Sequence, residues 1–71
     1  RRPLLAMEGP VLLYAVSNKM VVFNEPENQQ LIYTRHTREV TAFSLRPDDH
    51  LVASAEGARH PHVYLWRYDS L

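Results

Sequence analysis

Apolar residues enter this chain in short parcels, and turn-forming residues stop each one. Val11–Val16 ends at Ser17-Asn18-Lys19, Met20–Phe23 ends at Asn24-Glu25-Pro26-Glu27-Asn28, and Gln30–Thr34 ends at Arg35-His36-Thr37. The second half repeats the scheme: Val40–Leu45 precedes Arg46-Pro47-Asp48-Asp49, Leu51–Ala55 precedes a longer Glu56–Pro61 loop, and His62–Tyr68 follows. The first three parcels are four to six residues long and rich in Val, Ile, Tyr and Phe, which fit a pleated surface better than a helix. An amphipathic helix needs apolar residues three and four apart over about ten positions, and prolines at 26, 47 and 61 leave little room for one. The pattern predicts an all-β fold of six strands. Pro3, Gly9 and Pro10 predict an irregular lead-in over residues 1–10.

Charge and cysteine content narrow the setting. Eight Lys+Arg balance eight Asp+Glu, so net charge favours neither nucleic acid nor an anionic membrane. No apolar run approaches the roughly 20 residues of a spanning helix. With no cysteine there is no disulfide framework, and a reducing, cytoplasmic setting is expected. At 71 residues the chain buries a modest core on its own, and its opening on Arg rather than Met suggests a piece of a longer polypeptide.

Few residues suggest chemistry. His60 and His62 lie two apart, a spacing that puts both on one side of a strand, and with Asp48 or Asp49 they would make a metal-dependent hydrolase. Pro61 between them and the lack of a third ligand fixed by spacing favour a plain loop. Asp48 and Asp49 follow Pro47, a combination that caps a turn. Seven aromatic residues lack the basic groove that base stacking requires. No nucleophile with base and orienter and no glycine-rich phosphate loop is found, so the expectation is a protein without catalytic residues, metal or cofactor.

His36, Val40, Phe43, Leu45, Arg46-Pro47-Asp48, Leu51-Val52-Ala53-Ser54 and Val63-Tyr64-Leu65-Trp66 follow one another at spacings that resemble a WD repeat. The resemblance implies part of a β-propeller, with His36, Ser54 and Trp66 meeting in one hydrogen-bonded cluster inside a blade. Ser54 would accept the indole N–H and receive from His36. Arg35 stands where the family carries Gly and Arg67 where it carries Asp. The Glu56–Pro61 loop replaces a tight turn containing Asp, which implies a network of three members.

Residues 9–68 are also similar to the opening blades of the echinoderm microtubule-associated protein-like family and of related ciliary and flagellar WD-repeat proteins. Tyr14, Val21, Val22, Asn24, Gln30 and Pro61-His62-Val63 carry this wider match. It implies that residues 11–35 are the last strands of one blade and residues 36–71 the first three strands of the next. A repeat of about 40–45 residues means fewer than two are present, so remaining blades of the same propeller would be needed as neighbours. The implied function is a non-catalytic interaction scaffold, binding tubulin, microtubules or other axonemal proteins in the cytoskeleton or cilium. Arg35, Arg38 and Arg59 would be its contact loops. The alternative implied by the fold is an adaptor in a ubiquitin ligase or trafficking assembly.

Overall fold

Turn chemistry sets the strand boundaries in the computed structural model of the protein, which describes residues 4–70. Strands β1 (Leu5–Glu8), β2 (Val11–Val16), β3 (Lys19–Asn24) and β4 (Gln29–Tyr33) form one antiparallel meander. Strands β5 (Val40–Arg46), β6 (Leu51–Glu56) and β7 (His62–Arg67) form a second. The fold is all-β, with two antiparallel sheets.

One strand was not expected. Residues 1–3 of the supposed lead-in lie outside the described residues, but Leu5–Glu8 pairs with β2 in register from Leu5↔Tyr14 to Glu8↔Val11. Gly9 and Pro10 are the turn between two strands: Gly9 takes φ 58, and Pro10 follows with its fixed φ. Punctuation that resembled an irregular lead-in is a hairpin tip. Ser17 plays the same part between β2 and β3, holding φ 56 at the first position of a two-residue turn.

Pro47 opens a short 3-10 turn, Pro47–Asp49, between β5 and β6, and His50 closes it at φ 58 with its N–H donated to the Pro47 carbonyl. The Arg46 guanidinium grips Asp49 through Nε–Oδ1 at 3.0 Å and Nη2–Oδ2 at 2.6 Å. Those hydrogen bonds hold the Asp49 carboxyl below its ordinary range. Asp49 is thus a turn clamp, as the Pro-Asp-Asp sequence suggested.

Strand alternation sorts the side chains into faces. Leu13, Met20 and Val22 from the first sheet meet Val40, Val52, Trp66 and Tyr68 from the second, and this is the core. The ring of Tyr33 stacks on Trp66 with centroids 4.3 Å apart and planes 5° from parallel. Two further bonds tie the sheets: Val40 N–H to the Ser17 carbonyl at 2.8 Å, and Asn18 Nδ2 to the His36 carbonyl at 3.3 Å.

The faces turned away from the core carry apolar rows as well. On the first sheet, Leu5, Tyr14, Val21 and Ile32 form one cross-strand row, and Met7, Leu12 and Phe23 form the next. On the second, Val63 and Leu65 rise over a floor of Ala42, Ala53 and Ala55. Gln30 ends the second of the first sheet's rows, and Ser44, Arg46 and Arg67 share the outward face of the second sheet, so β2 and β3 come nearest to the continuous apolar run of strands covered on both sides.

Candidate functional site

β6 alternates strictly, so that Val52, Ser54 and Glu56 all point between the sheets and are buried. On the neighbouring strand Trp66 lies opposite Val52, and Tyr64 lies opposite Ser54. The connection from β4 to β5 dips inward at His36, which is 2% exposed, while its neighbours Arg35 and Thr37 are exposed. The resemblance-based expectation that His36, Ser54 and Trp66 meet is what the distances give: Trp66 Nε1 lies 2.9 Å from Ser54 Oγ, and Ser54 Oγ lies 2.6 Å from His36 Nε2.

A fourth member was missed. Glu56, assigned by sequence to a loop, is the last residue of β6 and 1% exposed. Its Oε1 sits 2.6 Å from His36 Nδ1 and receives the Thr37 backbone N–H at 3.1 Å, and its Oε2 receives the Thr37 hydroxyl at 3.0 Å. The available signal was period two: Glu56 follows Ser54 by two residues and therefore shares its face.

Glu56 also reverses the expected direction of one hydrogen bond. An ionised carboxylate only accepts, so Nδ1 of His36 carries the proton and donates to it. In neutral imidazole Nε2 is then the acceptor, and the Ser54 hydroxyl donates to His36 rather than receiving from it. Ser54 Oγ keeps a lone pair for the Trp66 indole. The chain runs Trp66 to Ser54 to His36 to Glu56 with each buried group satisfied.

Burial alone would push the Glu56 carboxyl up, but the hydrogen bonds it receives from the side chains of His36 and Thr37 and from the Thr37 backbone N–H bring it below its ordinary value. A carboxyl lowered in the folded state contributes stability that is fully present above the unfolded value and is lost as pH falls through the folded one. Stability should therefore decline with acid from about 4.5, the ordinary value, downward. His62 Nδ1 also faces it, 3.9 Å from Glu56 Oε2. Urea midpoints measured across this range should fall less steeply in Glu56→Gln; an unchanged slope would show that Glu56 is not held ionised by the network.

Ser54, His36 and Glu56 have the connectivity of a Ser-His-acid triad. Their environment is the opposite of a catalytic one. Ser54 is 0% exposed and its oxygen is engaged by the indole N–H, so a substrate carbonyl has no approach to it. The arrangement locks two strands and a loop together.

The histidines and aspartates proposed for a metal are not brought together. Glu56 pairs with His62 at one end of the second sheet, whereas the Pro47–Asp49 turn lies at the other, beyond Leu51 paired with Arg67. Five residues of strand separate the ends, about 17 Å. Among the described residues no group of three or more His, Cys, Asp or Glu is placed to hold a metal ion.

Arg38 and Arg59 are exposed in the loops at the end of the second sheet that carries Val40 and His62. Arg35 instead lines a groove between β4 and β7, with Tyr33, Trp66 and Arg67. Among the described residues no helix is long and apolar enough to cross a membrane. No protein-family model matches the chain, and no solved structure matches it.

Proposed function

We propose that the chain is a non-catalytic protein-interaction scaffold, contributing strands to two neighbouring blades of a WD-repeat propeller in a microtubule-associated or axonemal protein of the cytoskeleton. The observation that carries this reading is the buried chain from Trp66 through Ser54 to His36, at the three positions the WD resemblance names. The apolar rows on the outer faces of both sheets support it, since a blade packs on both sides. β1 supports it further by giving the first sheet the four strands of a whole blade. Glu56 takes the place of the missing turn aspartate.

The loops with Arg35, Arg38 and Arg59 would meet an acidic partner surface, as tubulin presents. The full chain should pellet with microtubules at low salt and progressively less as ionic strength rises toward about 0.2 M, because exposed charges are screened within about 10 Å. Lack of pelleting at low salt would remove the microtubule reading. Affinity capture dominated by ubiquitin-ligase or trafficking components would move the scaffold to those assemblies.

A further inference from the structure

The strand connections divide the neutral chain's charge between two ends. Ser17-Asn18, the β4–β5 connection and the β6–β7 loop share one end, where Val40 N–H reaches the Ser17 carbonyl, and they bring Lys19, Arg35, Arg38 and Arg59 there. Glu8, Glu25, Glu27, Asp48, Asp49 and Asp69 stand at the other, six of the chain's eight acidic residues. Among the described residues Arg46 and Arg67 are the only Lys or Arg beside them, and Asp49 and Asp69 hold these two. The second end is therefore negative.

A pocket of about 300 Å³ opens there, between the β3–β4 turn, which supplies Glu27, and the β5–β6 turn, which supplies His50. Val11 and Val22 give it an apolar wall, and among the described residues no Lys or Arg lines it. No residue of β7 lines it either, so its walls do not depend on what pairs with that strand. One polar atom in this lining is left over. Asn24 shares the inward face of β3 with Val22, and its Oδ1 is buried with no hydrogen-bond partner among the described residues. A buried acceptor in that state calls for a donor.

The rings of His50 and Tyr68 meet edge to face beside it, with centroids 5.3 Å apart. Burial first, and then the charges of Glu8 and Asp69, push the Tyr68 hydroxyl above its ordinary value, so negative potential reaches this wall. Asp69 already meets Arg67 at 3.2 Å and His50 at 3.5 Å, whereas Glu27 is exposed at the mouth. A guanidinium suits such a lining. It carries five N–H donors in one plane and no acceptor, its face stacks on aromatic rings, and its aliphatic stem lies on apolar side chains.

We infer that this pocket is a docking site for an arginine side chain on a basic segment of a partner protein, with Asn24 and Glu27 as its acceptors. The inference goes beyond the scaffold reading, which uses the opposite, basic end. With both ends engaged the chain bridges an acidic partner and a basic one.

The probe is a capped Gly-Gly-Arg-Gly-Gly peptide titrated into the full chain and followed by nuclear magnetic resonance at the Asn24 side-chain amide and the His50 and Tyr68 rings. These signals should shift and saturate. Citrulline in place of the arginine removes the charge, and lysine removes the planar fork; each peptide should bind about ten-fold or more weakly. Asn24→Leu and the exposed Glu27→Gln should each weaken arginine binding about ten-fold, with signals away from the pocket reporting that the fold is kept. Asp48→Asn, at the same end but outside the pocket, should change it by less than about two-fold because exposed charges are screened. No saturable shift, equal affinity for the citrulline or lysine peptide, or an equal loss in Asp48→Asn would overturn the proposal. Microtubule pelleting depends on the other end and should survive Glu27→Gln; its absence with arginine binding intact removes only the microtubule partner.

Discussion

Trp66→Ala is expected to lower the unfolding free energy by about 3–5 kcal/mol, the range for removing a buried large aromatic side chain. The tryptophan is 7% exposed, sits in the row Leu45, Val52, Trp66, and stacks on Tyr33 of the opposite sheet. Its loss removes contacts on both sheets at once and orphans an acceptor on Ser54. Small domains hold only about 5–15 kcal/mol in total, so the variant should lose about a third or more of a typical total and melt well below the parent. Urea denaturation followed by circular dichroism measures this without the lost fluorophore. Trp66→Phe keeps most of the volume and should cost clearly less. A loss under about 1 kcal/mol for the alanine variant would mean that the two sheets are not held through this residue.

Much of this was legible because strand physics is local. Val11–Val16 and Leu51–Ala55 carry their β-character in residue type, and Pro47-Asp48-Asp49 its turn in fixed φ and short polar side chains. What escaped was non-local or ambiguous. Leu5–Glu8 is a strand only because β2 lies beside it, and the Gly9-Pro10 pair marks a hairpin as readily as an irregular segment. Glu56 lies at the boundary between a strand and a polar loop, where composition argues for the loop. Its place in the core depends on His36, 20 residues earlier, coming close enough to pair with it.

The same distinction applies to the site. The spacing of His36, Ser54 and Trp66 was readable through its resemblance to a repeat, but spacing does not say which atom donates. That follows once a carboxylate is known to face Nδ1. The pocket lined by Asn24 and His50 is less legible still, because it arises where turns of two sheets meet and not from any run of residues.

Ser54→Ala tests the centre of the network. The hydroxyl joins Trp66 Nε1 to His36 Nε2, so its removal leaves a buried donor and a buried acceptor without partners. Each unsatisfied group costs about 1–3 kcal/mol, so a loss of about 2 kcal/mol or more is expected, although only one oxygen is removed. Ser54→Thr keeps the hydroxyl and should lose less. The decisive measurement is the cycle with Trp66→Phe: without the indole N–H, deleting the Ser54 hydroxyl orphans one group instead of two. The two substitutions should then be non-additive by about 1 kcal/mol. Strict additivity would show that the oxygen does not bridge the two rings, and the order Trp66 to Ser54 to His36 would fall with it.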